Sequence, residues 1–226
     1  MRVFTIAVLI ATGSVVHGQS SPRQLQFVPQ LAGFPLVLNG PMVLGDDLPI
    51  TVTAFRFYAG HFTYHRNGEW LLASNEYRLV DAADTASLSI DLGPATATSD
   101  SISFLLGVDS LTNVSGAFGG DLDPIKGMYW TWNSGYINLK LEGSSPASPY
   151  ASHAFELHLG GYLPPFPTAQ RVTLPVSAMP LSVHVELMPL LNAAGIHTRC
   201  NVMSPGEAAV RLSRVAATMF RTDAGR

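Results

Sequence analysis

The sequence predicts an all-β fold, an antiparallel β-sandwich with a short C-terminal α-helix. Short segments such as residues 155–159 and 181–187 alternate apolar and polar side chains, and a period of two is typical of half-buried strands. Sixteen prolines and twenty glycines are spread along the chain, which indicates frequent turns. Asn67-Gly68 separates two runs of strand-forming residues, a strong signal for a β-hairpin.

The predicted hairpin brings two particular side chains together. A two-residue type I′ loop at Asn67-Gly68 pairs Arg66 with Glu69, and it pairs His65 with Trp70. Side chains directly opposite each other in antiparallel strands have Cβ atoms roughly 5 Å apart. The simplest explanation of the His65–Trp70 pair is an aromatic contact that stabilises the hairpin. An imidazole at this position is also a candidate metal ligand.

Two further segments predict specific elements. Residues 128–142 predict one long strand, in which Trp130 and Trp132 fill the core, as large aromatic side chains in strands usually do. Residues 204–219 predict the C-terminal helix. Ser204 is the expected N-cap, because Pro205 and Glu207 follow it in the arrangement of a capping box.

The first residues indicate export. Residues 1–18 combine Arg2, an apolar stretch and small residues near a cleavage position, which is the pattern of a signal peptide. Residues 19–226 then form one domain. No later stretch reaches eighteen apolar residues, so we expect no membrane span and a periplasmic or secreted location. Cys200 is the only cysteine, which excludes an intramolecular disulfide and a cysteine-based zinc cage.

Composition and motifs argue against several functional classes. The formal net charge is −3 and the chain has no basic run, so nucleic acid is not an expected partner. The sequence has no Gly-x-Ser-x-Gly elbow, no P-loop and no His-Glu-x-x-His motif, and we expect no enzymatic activity. An extracytoplasmic hydrolase would lack a nucleophile motif. Asp121 and Asp123 favour a turn, because the rest of a calcium loop is missing.

The histidines offer a metal site only if separate strands contribute. His61 and His65 lie four residues apart, about 13 Å along a straight strand, whereas a metal–imidazole bond is about 2 Å long. A partner for His65 must therefore come from another strand, and His158 and His153 are the available residues. Imidazoles without a thiolate suit copper or zinc, and ligand chemistry alone does not choose between these metals.

Several motifs resemble the methanobactin-associated MbnP/CorA-type copper-binding family. They are Gly120-Asp121-Leu122-Asp123-Pro124, the Met-Tyr-Trp-Thr-Trp-Asn-Ser-Gly-Tyr run at residues 128–136, and His158-Leu159-Gly160-Gly161. Weaker similarities at residues 55–58, 79–81, 203–206 and 219–220 extend the resemblance over nearly the whole mature chain.

The resemblance implies a periplasmic or surface-associated protein that binds one Cu(I) and acts in copper homeostasis. In characterised relatives two histidines bind the ion, joined by a kynurenine that is made by oxidising a tryptophan. A diheme peroxidase-like (MbnH-type) partner is associated with that oxidation. The spacing of His65 and Trp70 resembles the histidine-to-kynurenine spacing of the CorA branch. Together with His158 of the His-Leu-Gly-Gly motif, they are the implied metal site.

Two departures from the family pattern support an alternative. Arg78 precedes Leu79-Val80-Asp81 where relatives often have histidine, and no histidine lies between His65 and His153. The alternative function is a structural or interaction module that keeps the fold without the metal. Trp130 and Trp132 are the alternative positions for a modified tryptophan.

Overall fold

The structure is a computed structural model that describes residues 22–43, 49–94, 99–133, 135–195 and 201–223. The predicted signal peptide, His197 and Cys200 lie outside these residues. Fourteen strands occur in the described part of the chain: β1 (Pro22–Leu31), β2 (Phe34–Pro35), β3 (Pro41–Met42), β4 (Ile50–Arg66), β5 (Glu69–Ser74), β6 (Arg78–Asp81), β7 (Ser89–Pro94), β8 (Ser101–Leu106), β9 (Tyr129–Trp130), β10 (Gly135–Ser144), β11 (Ala154–Gly160), β12 (Gln170–Pro175), β13 (Leu181–Glu186) and β14 (Phe220–Arg221).

The strands form two sheets, which confirms the predicted all-β sandwich. The smaller sheet has the order β14-β13-β1-β2, and β7 also pairs with β1. The larger sheet has the order β11-β10-β4-β8-β12. Its central strand β4 additionally pairs with β3, β5 and β6, while β9 pairs with β10. The pair β1–β13 is parallel, and the other strand pairs in the described residues are antiparallel.

Four phenylalanines join the two sheets. Phe27 of β1 contacts Phe57 of β4 and Phe104 of β8 edge to face, with ring centroids 5.3 and 5.8 Å apart. Phe220 of β14 lies 5.3 Å from both Phe57 and Phe104. Such aromatic pairs stabilise a core beyond the burial of their surface, by about 0.5–1.5 kcal/mol each. These contacts fix the face of β4 that points inwards.

Within the described residues, three α-helices and two 3₁₀ turns connect the strands: α1 (Ser110–Val114), α2 (Met188–Ala194), α3 (Glu207–Ala217), and the 3₁₀ turns Gly120–Leu122 and Pro124–Lys126. The sequence predicted only the last α-helix. The predicted capping box is wrong, because the N-cap is Gly206 and no side chain caps α3. Gly206 is extended, with φ 164° and ψ 179°, so the helix cannot begin at Ser204. None of the helices in the described residues has the length and hydrophobicity needed to cross a membrane.

The long strand predicted over residues 128–142 is interrupted. β9 ends at Trp130, and the backbone N–H of Asn133 donates to the carbonyl of Trp130 at 3.3 Å. The chain then folds back, so that Gly135 of β10 lies opposite Trp130. Met128, Trp130 and Tyr136 form a second apolar cluster with Tyr58 of β4. This cluster covers part of the outer face of the large sheet.

The β4–β5 turn gives the first testable prediction. Gly68 has φ 83°, a left-handed conformation that side chains with Cβ branches disfavour. We expect Gly68→Val to lower the free energy of unfolding by about 1–3 kcal/mol in urea denaturation. Gly119→Val is the matched control, because Gly119 has φ −87° and no neighbouring atom would meet its Cβ. Equal destabilisation by both substitutions would contradict the left-handed turn.

Candidate metal site

The β4–β5 hairpin holds His65 against Trp70. Asn67 and Gly68 both have positive φ, 51° and 83°, which is the signature of a type I′ turn. His65 lies opposite Trp70 in the register, and their ring centroids are 5.1 Å apart with an interplanar angle of 51°. Trp70 is 49% exposed. The hairpin therefore places an imidazole beside an accessible indole, and the predicted register is confirmed.

Asp100 holds the imidazole of His65 from the other side. Nδ1 of His65 lies 2.8 and 3.0 Å from the two carboxylate oxygens of Asp100. The backbone N–H of Asp100 also donates to the carbonyl of His65 at 3.2 Å, just before β8 begins. A carboxylate only accepts hydrogen bonds, so neutral His65 carries its proton on Nδ1. Among the described residues, no group hydrogen-bonds to Nε2, whose lone pair is left for a ligand.

The third predicted ligand, His158, lies elsewhere on the large sheet. Lys140 of β10 lies between His158 and Arg56 of β4 in the register. His65 is nine residues beyond Arg56 along β4, so roughly 30 Å of strand separates the two positions at about 3.3 Å per residue. Two ligands of one metal ion each lie about 2 Å from it. The structure does not bring His158 to His65 and Trp70.

His158 has a structural environment of its own. Its Nε2 lies 2.6 Å from Oε1 of Glu142, and the residue is 6% exposed. Burial lowers the pKa of His158 below its usual value, although the hydrogen bond that its imidazole donates to Glu142 opposes this effect. The alternative residue His153 is exposed in the β10–β11 connection, beside the part of β10 that pairs with the beginning of β4. It also lies far from His65.

A cluster around His61 was not predicted from the sequence. The backbone of His61 has φ 47°, and the β4–β8 register shifts between Gly60 and Thr63. Nε2 of His61 lies 2.9 Å from Oδ2 of Asp109, and Nδ1 lies 3.3 Å from Oδ1 of Asn75. Both ring nitrogens thus face oxygen atoms, which leaves neither for a metal. The partners are distant in sequence, and no local pattern indicated them.

Asp109 is the centre of this cluster. Its carboxylate accepts hydrogen bonds from the hydroxyl of Tyr77 and from the backbone N–H and side chain of Thr112, so Asp109 caps the N-terminus of α1. Burial disfavours the charged carboxylate, but the hydrogen bonds from Tyr77, Thr112 and His61 outweigh this and hold the pKa of Asp109 well below its usual range. Burial and the contact with Asp109 raise the pKa of Tyr77.

The tryptophans of the 128–136 run differ in their surroundings. Trp130 is 6% exposed and packs in the second apolar cluster, as predicted. Trp132 is 64% exposed, so its predicted place in the core is wrong. The turn after β9 carries Trp132 outwards, with its ring centroid 5.5 Å from that of Trp130. The structure confirms the turn at Asp123, whose side chain accepts from the N–H of Ile125 at the second 3₁₀ turn.

No group of three or more His, Cys, Asp or Glu side chains suited to a metal occurs within the described ranges. A metal at the hairpin would therefore be held by fewer side chains of these types, with His65 as the imidazole donor. Trp70 is the adjacent residue, and its indole N–H donates but does not accept.

The tautomer of His65 can be tested without metal. We expect long-range ¹H–¹⁵N NMR spectra of the metal-free protein to show neutral His65 protonated at Nδ1, because Asp100 accepts from this atom. Asp100→Asn should reduce this preference, since an amide both donates and accepts. Asp84→Asn, at an exposed turn, is the matched control and should leave His65 unchanged. If neutral His65 of the wild type were protonated mainly at Nε2, this would contradict the hydrogen bond from Nδ1 to Asp100.

The low pKa of Asp109 predicts a pH-dependent contribution to stability. We expect Asp109→Ala to lower the free energy of unfolding by about 2–3 kcal/mol at pH 7, because it removes the α1 cap and leaves the hydroxyl proton of Tyr77 without its acceptor. A folded-state pKa below the unfolded value of about 3.9 stabilises the protein above that pH. The difference in the free energy of unfolding between the wild type and Asp109→Ala should therefore become smaller as the pH falls below about 4.

Asp123→Ala is the matched control for Asp109→Ala, since Asp123 caps a single 3₁₀ turn. Its effect should be smaller, about 0.5–1 kcal/mol. Thermal or urea denaturation across the pH range measures both. If the loss of unfolding free energy in Asp109→Ala stayed constant down to pH 2, this would contradict a lowered pKa of Asp109 in the folded protein.

Comparison with known proteins agrees with this architecture. The family model of MbnP matches residues 20–204. Among solved structures, MbnP from Methylosinus trichosporium has a TM-score of 0.55 and 16% sequence identity, over 79% of this chain and 80% of that chain. This structural similarity shows a shared fold. No protein with a curated description matches the chain. The family match spans most of the sequence, and the chain therefore belongs to the MbnP family, which is associated with methanobactin and copper.

Proposed function

We propose that this protein is an exported, non-catalytic copper-binding protein in which His65 binds Cu(I) beside Trp70. The single observation that supports this site most strongly is the imidazole of His65 with Asp100 on Nδ1 and Nε2 directed away from that bond. Imidazole is a good copper ligand. In many metal sites a carboxylate on the distal nitrogen orients the ligating histidine and increases its basicity. Asp100 has this role in the proposal.

The second ligand in the proposal is Trp70 after oxidation to kynurenine. Unmodified indole offers only a donor N–H and the ring face, and it binds a cation weakly. Kynurenine carries an aromatic amine, which has a lone pair. The exposed position of Trp70 suits access by another protein, and a diheme peroxidase-like (MbnH-type) partner is the proposed catalyst. Hydrogen peroxide would be the oxidant, and the indole carbon that is lost would leave as formate. In the proposal this amine and Nε2 of His65 bind the ion together, which the 5.1 Å distance between the two ring centroids supports.

His158 is left out of the proposed site. His158 lies level with Arg56 of β4, far along the sheet from His65, and it is hydrogen-bonded to Glu142. Both observations support a structural function for His158. The proposed site thus has one histidine from the described chain, and the soft Cu(I) ion suits such a nitrogen donor set. We propose a role in copper homeostasis outside the cytoplasm, where the signal-peptide pattern of residues 1–18 would direct the chain.

A second candidate function is a structural or interaction module without a metal. The His65–Trp70 contact by itself stabilises a hairpin, and no larger group of potential ligands surrounds it in the described residues. Native protein that contains no stoichiometric copper would favour this function.

Copper binding is the direct test. Mature protein is titrated with Cu(I) in competition with a chromophoric chelator. We expect His65→Ala to weaken binding by more than about 100-fold, since it removes the imidazole ligand, and Asp100→Asn to weaken it by about 10–100-fold, as for other partners of metal-bound histidines. His153→Ala is the matched control at an exposed histidine, and His158→Gln tests the ligand implied by the family. Unchanged affinity in His65→Ala would exclude this site.

Mass spectrometry tests the modification independently. Peptides from protein co-expressed with the proposed partner should show the tryptophan-to-kynurenine mass change at Trp70. Trp132 is an internal control, because it is even more exposed but has no histidine opposite it. Modification at Trp132 and not at Trp70 would move the site away from the hairpin.

A further inference from the structure

A charged cavity of about 600 Å³ lies on the outer side of the large sheet. Arg56 reaches it from β4, on the face opposite the core residues Phe55 and Phe57. The other walls come from β6, the turn after it, β7 and the two 3₁₀ turns. Cavities of about 300–1,000 Å³ are typical of small-molecule sites. Its charged lining indicates a polar ligand.

One part of the wall is cationic and held in place. Nε of Arg56 lies 2.8 Å from Oδ2 of Asp81, an ion pair, and Nη1 donates to the carbonyl of Lys126 at 3.1 Å. The ammonium of Lys126 lies 3.4 Å from Asp121. Arg78 is the third cation, and its partner Glu76, at 2.6 Å, is outside the lining. The guanidinium of Arg56 is thus oriented before any ligand binds.

The other part of the wall offers carboxylate oxygens. Oδ1 of Asp84 accepts from the N–H of Ala86 at 3.0 Å, and Oδ1 of Asp91 accepts from the N–H of Gly93 at 2.8 Å. Oδ2 of each has no hydrogen-bond partner among the residues that the structure describes. The hydroxyl of Ser87 donates to the carbonyl of Asp84 at 2.7 Å and fixes the turn. These two oxygens are therefore positioned and available.

The geometry points to a binding site for a small zwitterion, a free amino acid or short peptide. Its carboxylate would contact Arg56 and Arg78, and its ammonium would contact Asp84 and Asp91. A simple anion would face the uncommitted carboxylates, and a simple cation would face the guanidinium groups. Only a ligand with both charges satisfies both parts of the wall. The site is separate from His65 and does not depend on copper binding.

The test uses glycylglycine as the zwitterionic probe. Two analogues each remove one charge: N-acetylglycylglycine has no ammonium, and glycylglycinamide has no carboxylate. Backbone amide shifts of ¹⁵N-labelled mature protein, at Ser87, Ser89 and Lys126, report binding. We expect glycylglycine to bind at least about tenfold more tightly than either analogue, because each analogue leaves one set of charges unpaired.

Substitutions in the cavity test which residues bind the ammonium of the ligand and which bind its carboxylate. Asp84→Asn and Asp91→Asn should weaken glycylglycine binding but strengthen N-acetylglycylglycine binding, because they remove carboxylates that repel this anion, whereas Arg78→Gln should weaken both. Glu76→Gln should strengthen glycylglycine binding, since it releases Arg78 from its outside partner. Glu69→Gln, on the distant hairpin, is the matched control, and the same spectra show that each variant is folded. Equal affinity for the three probes, no response of the cavity amides, or no effect of the Asp84, Asp91 and Arg78 variants would overturn the site.

Discussion

The backbone hydrogen bonds of β4 are the constraint on which the rest of the structure depends. This strand of 17 residues pairs with β3, β5, β6, β8 and β10. Its alternation directs Phe55 and Phe57 into the core and Arg56 and Tyr58 to the outer face. Because a shift of one residue would exchange these faces, the register of β4 is strongly specified by burial. This register determines the positions of both the hairpin with His65 and the charged cavity.

A carboxylate lies beside an imidazole at four places in the described residues, and three of them have clearly different consequences. His158 is buried against Glu142, and burial lowers its pKa, so it favours the neutral, structural form. His61 faces oxygen atoms at both ring nitrogens. His65 is held by Asp100 at Nδ1 alone. The same pairing therefore occurs in a fold contact, in a polar cluster and in the proposed copper site, and these differ in the surroundings of the second ring nitrogen.

The proposed copper site lies at an accessible edge of the large sheet. The hairpin extends beyond the phenylalanine contacts that join the sheets, and Trp70 on the edge strand β5 is half exposed. The rigid part of β4 orients His65, while the indole remains accessible. The tryptophans of the family motif are arranged differently, because the turn after β9 buries Trp130 and exposes Trp132. This member of the MbnP family therefore has one buried and one exposed tryptophan in that motif.

The sequence alone determined the features that depend on local chemistry. Alternation predicted the sandwich, and Asn67-Gly68 predicted the pairing of His65 with Trp70, because a type I′ turn fixes the register of its neighbours. Only the tertiary structure showed that Asp100, 35 residues from His65, orients the imidazole, and that His158 lies far along the sheet. These relations depend on strand order and on the bend at residues 60–63, which long-range packing determines. The folded sheet, not the spacing of residues, decides which histidines meet.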